Sequence, residues 1–288
     1  MPNFDPAELA IGDVVDRTGV PASTLRMWET RYGFPAPRRP GGTHRRYTEE
    51  DCRAIEEVKR ARARGLPMGD AVASGLAALR DAQDSLFNGL RLRHPDLPVL
   101  VLPNPFMLAL SEALETTALE HPDGVLVGAF QRTRAYELAQ TRWTRLTATA
   151  HAVLAFADFP RLEREGNAWR LPTQPGSALA AEWAVVCDTP RWWGCLVGRE
   201  VPGAAHRARR RRAFEAMWSL DPIVVRDATR IAASLASSVA PDAGDALVGR
   251  LQHQPRVRPS TLGEASHFTN RVLEHLLGSA RAAAARGA

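Results

Sequence analysis

The sequence predicts an α+β chain in two parts. A small all-α head carrying a basic hairpin comes first, and a larger α/β body with a mixed, partly antiparallel sheet follows. Three observations predict this. Up to about residue 80 the apolar residues recur at helical spacing and the segments are punctuated by helix stop and start residues. From about residue 99 short apolar runs, bounded by turn residues, alternate with helical patterns. With 288 residues and 45% hydrophobic content the chain is long enough for two cores.

In the head, Ile11, Val14 and Val15 put an apolar stripe on a first helix that stops at Thr18-Gly19. Pro21 then opens a second helix to about Arg31, with Leu25 and Trp28 facing inward. Gly33-Phe34-Pro35 breaks it, and Pro40-Gly41-Gly42 makes a hairpin tip whose arms carry Arg38, Arg39, His44, Arg45 and Arg46, closed by Tyr47. Thr48-Glu49-Glu50-Asp51 is a capping box for a third helix, with Cys52, Ile55 and Val58 on one face. Pro67 starts a fourth, patterned by Met68, Val72, Leu76 and Leu79.

Between residues 38 and 46 stand four arginines and a histidine without an acid, so self-repulsion opposes the loop unless an anion lies against it. Two helices joined by a Gly-containing turn and followed by an arginine-armed hairpin make a winged helix-turn-helix. Such a unit lays one helix in a major groove while the wing straddles phosphates, which relieve the charge. A net charge of +5 and a pI near 9.7 suit an anionic partner. Lys59 is the sole lysine, a usage that a GC-rich genome would also produce.

The run IGDVVDRTGVPASTLRMWETRYGFPAPRRPGGTHRRYTEEDCRAI resembles the DNA-binding domain of MerR-family transcription regulators, over about residues 9–80. The motif TLRMWETRYG, the PRR wing and GGTHRRY carry the resemblance, and the WExRYG variant resembles the branch that includes the cobalamin-binding light-responsive repressors. The resemblance implies a DNA surface of Arg17, Ser23, Thr24, Arg26, Arg38, Arg39, Arg45 and Tyr47, with Thr24 and Arg26 at the groove and Arg17, Arg38, Arg45 and Tyr47 on phosphates. It also implies a homodimer on double-stranded promoter DNA, with RNA polymerase as a further partner. The long dimer helix usual in that family is not evident in residues 81–98, which are broken by Asn88-Gly89 and two prolines and read as a linker.

In the body (99–240), VLVLPNPFMLALSEALETTAL runs from a short apolar stretch into a helix. GVLVGAFQ and HAVLAFADF read as strands flanking a helix, RTRAYELAQTRWTRL. EWAVVCD and WWGCLVGREV read as a hairpin turned at Thr189-Pro190-Arg191, while RAFEAMW and DPIVVRDATRIAASLA close the domain as helices. The segments GAFQ, EWAVVCDTP, GCLVGRE and FEAMWSLDP resemble the DICT sensory domain, a module found with diguanylate cyclases and two-component proteins, over roughly residues 84–240. The tail, 241–288, opens as a Pro, Asp and Gly-rich loop and ends in an amphipathic helix marked by Phe268, Val272 and Leu276. That helix either packs on the body or supplies a dimer contact.

No catalytic spacing stands out, so an enzyme is not expected. His121-Pro122-Asp123-Gly124 supplies HxxG of a cobalamin signature, but Leu119 stands where that signature has Asp. Cys187 and Cys195 make too few ligands for a metal site, and neither cofactor nor metal is expected. HRARRRRAF (206–214) suits a phosphate of a dinucleotide or DNA, or polymerase, or is a solvated loop or helix start. Six of the seven tryptophans fall in the body, where they form core or line a ligand pocket. Trp183, Trp192, Arg209 and Arg210 are the candidate ligand residues for an unidentified small-molecule or protein signal. No apolar run nears the ~20 residues of a membrane span and no signal peptide opens the chain, so the expectation is a cytoplasmic protein without membrane contact. The rival expectation is a signalling module that binds a small molecule such as a cyclic dinucleotide, or a photosensory partner, without specific DNA binding.

Overall fold

A computed structural model describes residues 9–39, 44–201, 212–253 and 261–285. The chain divides into two compact units between Ala82 and Gln83.

The head follows its local signals. Helix α1 (Ile11–Thr18) ends where Gly19 turns left-handed at φ 66°, and α2 (Ala22–Tyr32) ends the same way at Gly33, φ 65°. Before α3 (Glu49–Ala63) the capping box closes in both directions: Asp51 N donates to Thr48 Oγ1 at 3.1 Å and Thr48 N donates to Asp51 Oδ2 at 2.8 Å. The helix α4 (Met68–Gln83) completes the unit. Val14, Leu25, Trp28, Phe34, Ile55 and Val58 are buried together between these elements. The hairpin arms pair through Arg38 and Arg46, which exchange two backbone bonds of 2.9 Å, and Leu9 adds a third short strand by pairing with Tyr47. The expected hairpin tip, Pro40 to Gly42, lies outside the described residues.

The body is a three-layer α/β/α sandwich. Its eight-stranded sheet runs β1-β8-β7-β6-β2-β3-β5-β4. The strands are β1 (Leu100–Pro103), β2 (Val125–Ala129), β3 (Ala152–Ala157), β4 (Glu163–Glu165), β5 (Ala168–Pro172), β6 (Glu182–Asp188), β7 (Trp193–Glu200) and β8 (Ala213–Ser219). Only β2-β3 and β3-β5 are parallel, and the other five neighbouring pairs are antiparallel. One face buries Val125, Val127, Leu154, Val186, Cys195 and Met217 under α5 (Leu86–Arg93), α8 (Pro222–Ser237) and α9 (Pro241–His253). The other buries Leu126, Val153, Val185, Cys187, Leu196 and Phe214 under α6 (Asn104–Ala118), α7 (Thr133–Thr149) and α10 (Leu262–Ala285). The near-continuous apolar runs of β2, β3 and β6 are what a sheet covered on both faces requires.

Three expectations are corrected, and one left open is decided. Residues 81–98 hold α5, whose Leu86, Phe87 and Leu90 are buried in the body core. RAFEAMW forms not a helix but β8, because pairing with β7 on one side and β1 on the other overrides its helix-forming Ala, Glu and Met. The expected loop after residue 241 is α9, with Ala243 and Leu247 fully buried. The C-terminal helix α10 belongs to the body: Phe268 packs between Trp192 and Trp218, and Arg271 binds Thr117 Oγ1 and Glu120 at 3.1 and 2.7 Å on the α6 side. The short charged hairpin β4-β5, turned at Gly166-Asn167, had no counterpart in the sequence reading. Among the described residues no helix is long and apolar enough to cross a membrane.

Candidate nucleic-acid interface

On α2, Leu25 and Trp28 go into the head's core, which leaves Ser23, Arg26, Met27 and Thr30 as an exposed stripe at i, i+3, i+4 and i+7. A helix of this length is about 16 Å long and fits the ~12 Å wide major groove of B-DNA. Arg26 has no ion-pair partner among the described residues, nor has the exposed Arg38 on the wing. A groove of about 350 Å³ lies between the start of α1 and the wing, lined by Ala10, Ile11, Arg26, His44, Arg45 and Arg46.

The charge of the wing is met partly from within. Glu29, four-fifths buried on α2, accepts from Arg39 Nη2 at 2.6 Å and Arg45 Nε at 2.7 Å. Burial pushes the Glu29 carboxyl up, but the bonds and charges of Arg45 and Arg39 outweigh it and hold the group below its ordinary value. Glu29 therefore stays ionised and fastens the wing to α2. Within WETRYG the sequence alone does not mark Glu29; its signal is an acid one helical turn from Arg26 and shortly before a purely basic loop.

The eight expected DNA residues thus divide. Ser23 and Arg26 share the exposed stripe, and Arg38 stands out on the wing. Thr24 is half-buried beside that stripe. Arg39 and Arg45 are committed to Glu29, and Arg17 is ion-paired with Glu49. Tyr47 is corrected: it is 1% exposed, its ring belongs to the head core, and burial followed by the charge of Glu29 pushes its phenol up. It anchors the base of the wing instead of presenting a hydroxyl to phosphate.

In the body, Trp183 lines a cavity while Trp192 does not. Trp192 is 2% exposed and packs against His121 and Phe268. Arg209 and Arg210 lie outside the described residues. Cys187 and Cys195 are free thiols that sit in the cores on opposite faces of the sheet, so they cannot share a metal. No cluster of three or more metal-ligating side chains occurs among the described residues.

Comparison with known proteins agrees with this division. Residues 9–73 match the MerR HTH family of regulatory proteins, and residues 84–201 match the sensory domain found in diguanylate cyclases and two-component systems, DICT. The HTH-type transcriptional repressor CarA of Myxococcus xanthus is 40% identical over 67 residues, which cover 23% of this chain and 23% of that relative. The similarity to this relative thus concerns the head alone. The chain carries a MerR helix-turn-helix domain followed by a DICT sensory domain.

Proposed function

We propose that this MerR-headed, DICT-bodied chain is a DNA-binding transcription regulator, acting as a homodimer on a palindromic promoter under the control of a signal received by the body. The observation that carries the reading is the exposed Ser23, Arg26, Met27 and Thr30 stripe of α2, beside a wing that Glu29 holds in place. Arg26 can reach a base edge and Arg38 a phosphate. A two-fold operator requires two heads at fixed spacing. A signal that binds one arrangement of the body better than another would change that spacing, and hence the fit to DNA. RNA polymerase fits as a further partner by the same family likeness.

The test is a salt titration of the full chain on promoter fragments. If Arg38 alone reaches phosphate, a dimer makes roughly two contacts and log Kd changes with log salt by roughly 2, whereas Arg26 on phosphate as well would make roughly four contacts and raise the slope to roughly 3 to 4. Arg26→Ala should cost about 1–3 kcal/mol on the preferred operator and little on random duplex if it meets a base edge. Uniform weakening on all duplexes would make Arg26 a phosphate contact. Failure to retain any duplex in dilute buffer would leave the rival reading, a signalling module without DNA.

A further inference from the structure

A cavity of about 290 Å³ opens on the α6/α7 face of the body sheet, over β6, the antiparallel neighbour of β2, at which the sheet changes from parallel to antiparallel pairing. One face of α6 supplies Asn104, Leu108, Ser111 and Glu115, and one face of α7 supplies Ala135, Leu138 and Arg142. Trp183 and Val185 of β6 form the floor, and Phe130 with Gln131 closes one end. Its size is at the small end of the ~300–1,000 Å³ typical of ligand sites.

The charges around it are already matched. Arg142 donates to Glu115 at 2.5 Å and lies 3.4 Å from Glu112. Arg212 is bound twice by Glu200 at 2.6 Å and also donates to Gln131 Oε1 at 2.8 Å, and Arg132 pairs with Asp158. Of the lining arginines only Arg134, exposed at the mouth, has no partner among the described residues. A ligand with two phosphates would have to break these pairs to be neutralised.

The uncharged polar groups are not matched in the same way. Asn104 lines the cavity, and among the described residues its carboxamide has no hydrogen-bond partner while its polar atoms keep access to the cavity. Ser111 Oγ accepts from Trp183 Nε1 at 3.0 Å, and its own hydrogen has no acceptor there. An amide at a cavity wall whose oxygen and nitrogen bond nothing else in the protein is free to pair with a group that enters. Gln131 adds a second sign of construction. Its backbone is left-handed at φ 61°, and its side chain is spent on both sides, donating to Ala181 O at 2.7 Å while accepting from Arg212.

Resting on the reading of the body as the sensor, we propose that this cavity binds a small uncharged heteroaromatic molecule of the purine-base type. A carboxamide pairs two-fold with an edge that carries an adjacent donor and acceptor. Phe130 and Trp183 provide ring faces, and Leu108, Leu138 and Val185 provide apolar walls. The volume suits one or two fused rings.

The test is ligand-observed saturation-transfer NMR on the full chain with free adenine, with indole as the ring lacking such an edge and benzoate as the anion. Adenine should show transfer, and Asn104→Ala should weaken it at least tenfold. Leu108→Trp, which fills the cavity and keeps Asn104, should abolish it with the thermal midpoint held. The proposal is overturned if adenine gives no transfer at millimolar concentration, if Asn104→Ala binds it as well as the parent does, or if indole or benzoate binds in its place. Retention of duplex DNA by the same ligand-free preparations is scored separately, so failure of the regulator reading shows there and failure of the ligand class shows in the NMR.

Discussion

Asp227→Asn should loosen the first body element after the head. Asp227 of α8 binds Arg93 Nη1 at 3.2 Å, His94 Nε2 at 3.0 Å and Arg230 Nη1 at 2.9 Å, and so ties down the C-terminal end of α5. Burial pushes its carboxyl up, but the bonds and charges of His94, Arg93 and Arg230 win and bring it from 3.8 down to about 2. At 1.36 kcal/mol for each tenfold change in proton affinity, that difference is worth about 2–3 kcal/mol at neutral pH. A second route gives a similar figure. Breaking a buried pair costs ~3–5 kcal/mol, and Arg93 at 18% side-chain exposure and Arg230 at 54% discount it toward the lower end.

Urea unfolding followed by tryptophan fluorescence is the assay, because six of the seven tryptophans lie in the body and report on it with only Trp28 in the head. The variant should lose about 2–3 kcal/mol at pH 7 with the denaturant slope unchanged. Since the folded value lies below the ordinary one, the stability that Asp227 contributes is complete above about pH 4 and is lost as pH falls toward 2. The gap between the two proteins should therefore close over that range. A loss under about 0.5 kcal/mol at pH 7, or a gap that does not narrow in acid, would show that Asp227 does not hold α5.

Three shorter predictions follow from other groups. Burial pushes Glu182 up to about 7 against the bonds it accepts from Ser85, Phe87 and Leu86, so its contribution to stability is complete below 4.5 and lost as pH rises through 7; Glu182→Gln should flatten a fall of roughly 2–4 kcal/mol between pH 4.5 and 8 in urea titrations. At Gly128 an added Cβ would stand 2.5 Å from Trp143 and 2.6 Å from Phe130, so Gly128→Ala should destabilise the body by about 1–3 kcal/mol in the same assay and leave duplex retention unchanged. Glu29→Gln frees Arg39 and Arg45 for phosphate, which should steepen the salt dependence by up to ~0.9 for each added contact and narrow the preference for the operator over random duplex.

What the sequence revealed and what it hid divide by the range of the interactions. The head was legible because Gly19, Gly33 and the Thr48-Asp51 box act within one helical turn of where they stand. In the body β2, β3, β6 and β7 were legible as apolar runs. Helix α5 was hidden: Gly89 is a poor helix former, and the helix is held by Glu182, which lies 97 residues from Ser85. Pro241 and Asp242 were read as loop residues although Pro and an acid also open helices, as they do in α9. At the site, Arg26 and Arg38 were legible as exposed cations, whereas the neutralisation of Arg39 and Arg45 depended on how close the folded wing comes to Glu29.

The position of Glu182 gives the two-state regulator reading a physical carrier. Successive residues of a strand point to opposite faces of the sheet. Trp183 accordingly faces the cavity and donates to Ser111, while Glu182 faces the other layer and accepts from Leu86 N at 2.9 Å and Phe87 N at 3.2 Å. One end of β6 therefore touches the proposed ligand and also caps α5, the first body helix after α4 in the chain. Burial pushes the Glu182 carboxyl up to about 7, so a displacement of this strand end that alters its burial changes both the geometry and the charge of the cap. A ligand that prefers one position of Trp183 must prefer one state of the Glu182 cap as well, since a single backbone step joins them. That differential preference is what a signal needs in order to shift an equilibrium between two body arrangements. In the Glu182→Gln variant the carboxamide cannot ionise, so duplex affinity measured with and without adenine should differ less than in the parent. An undiminished difference would place the coupling on another path, with α6 and α10 the elements that share the cavity's wall and its outer packing.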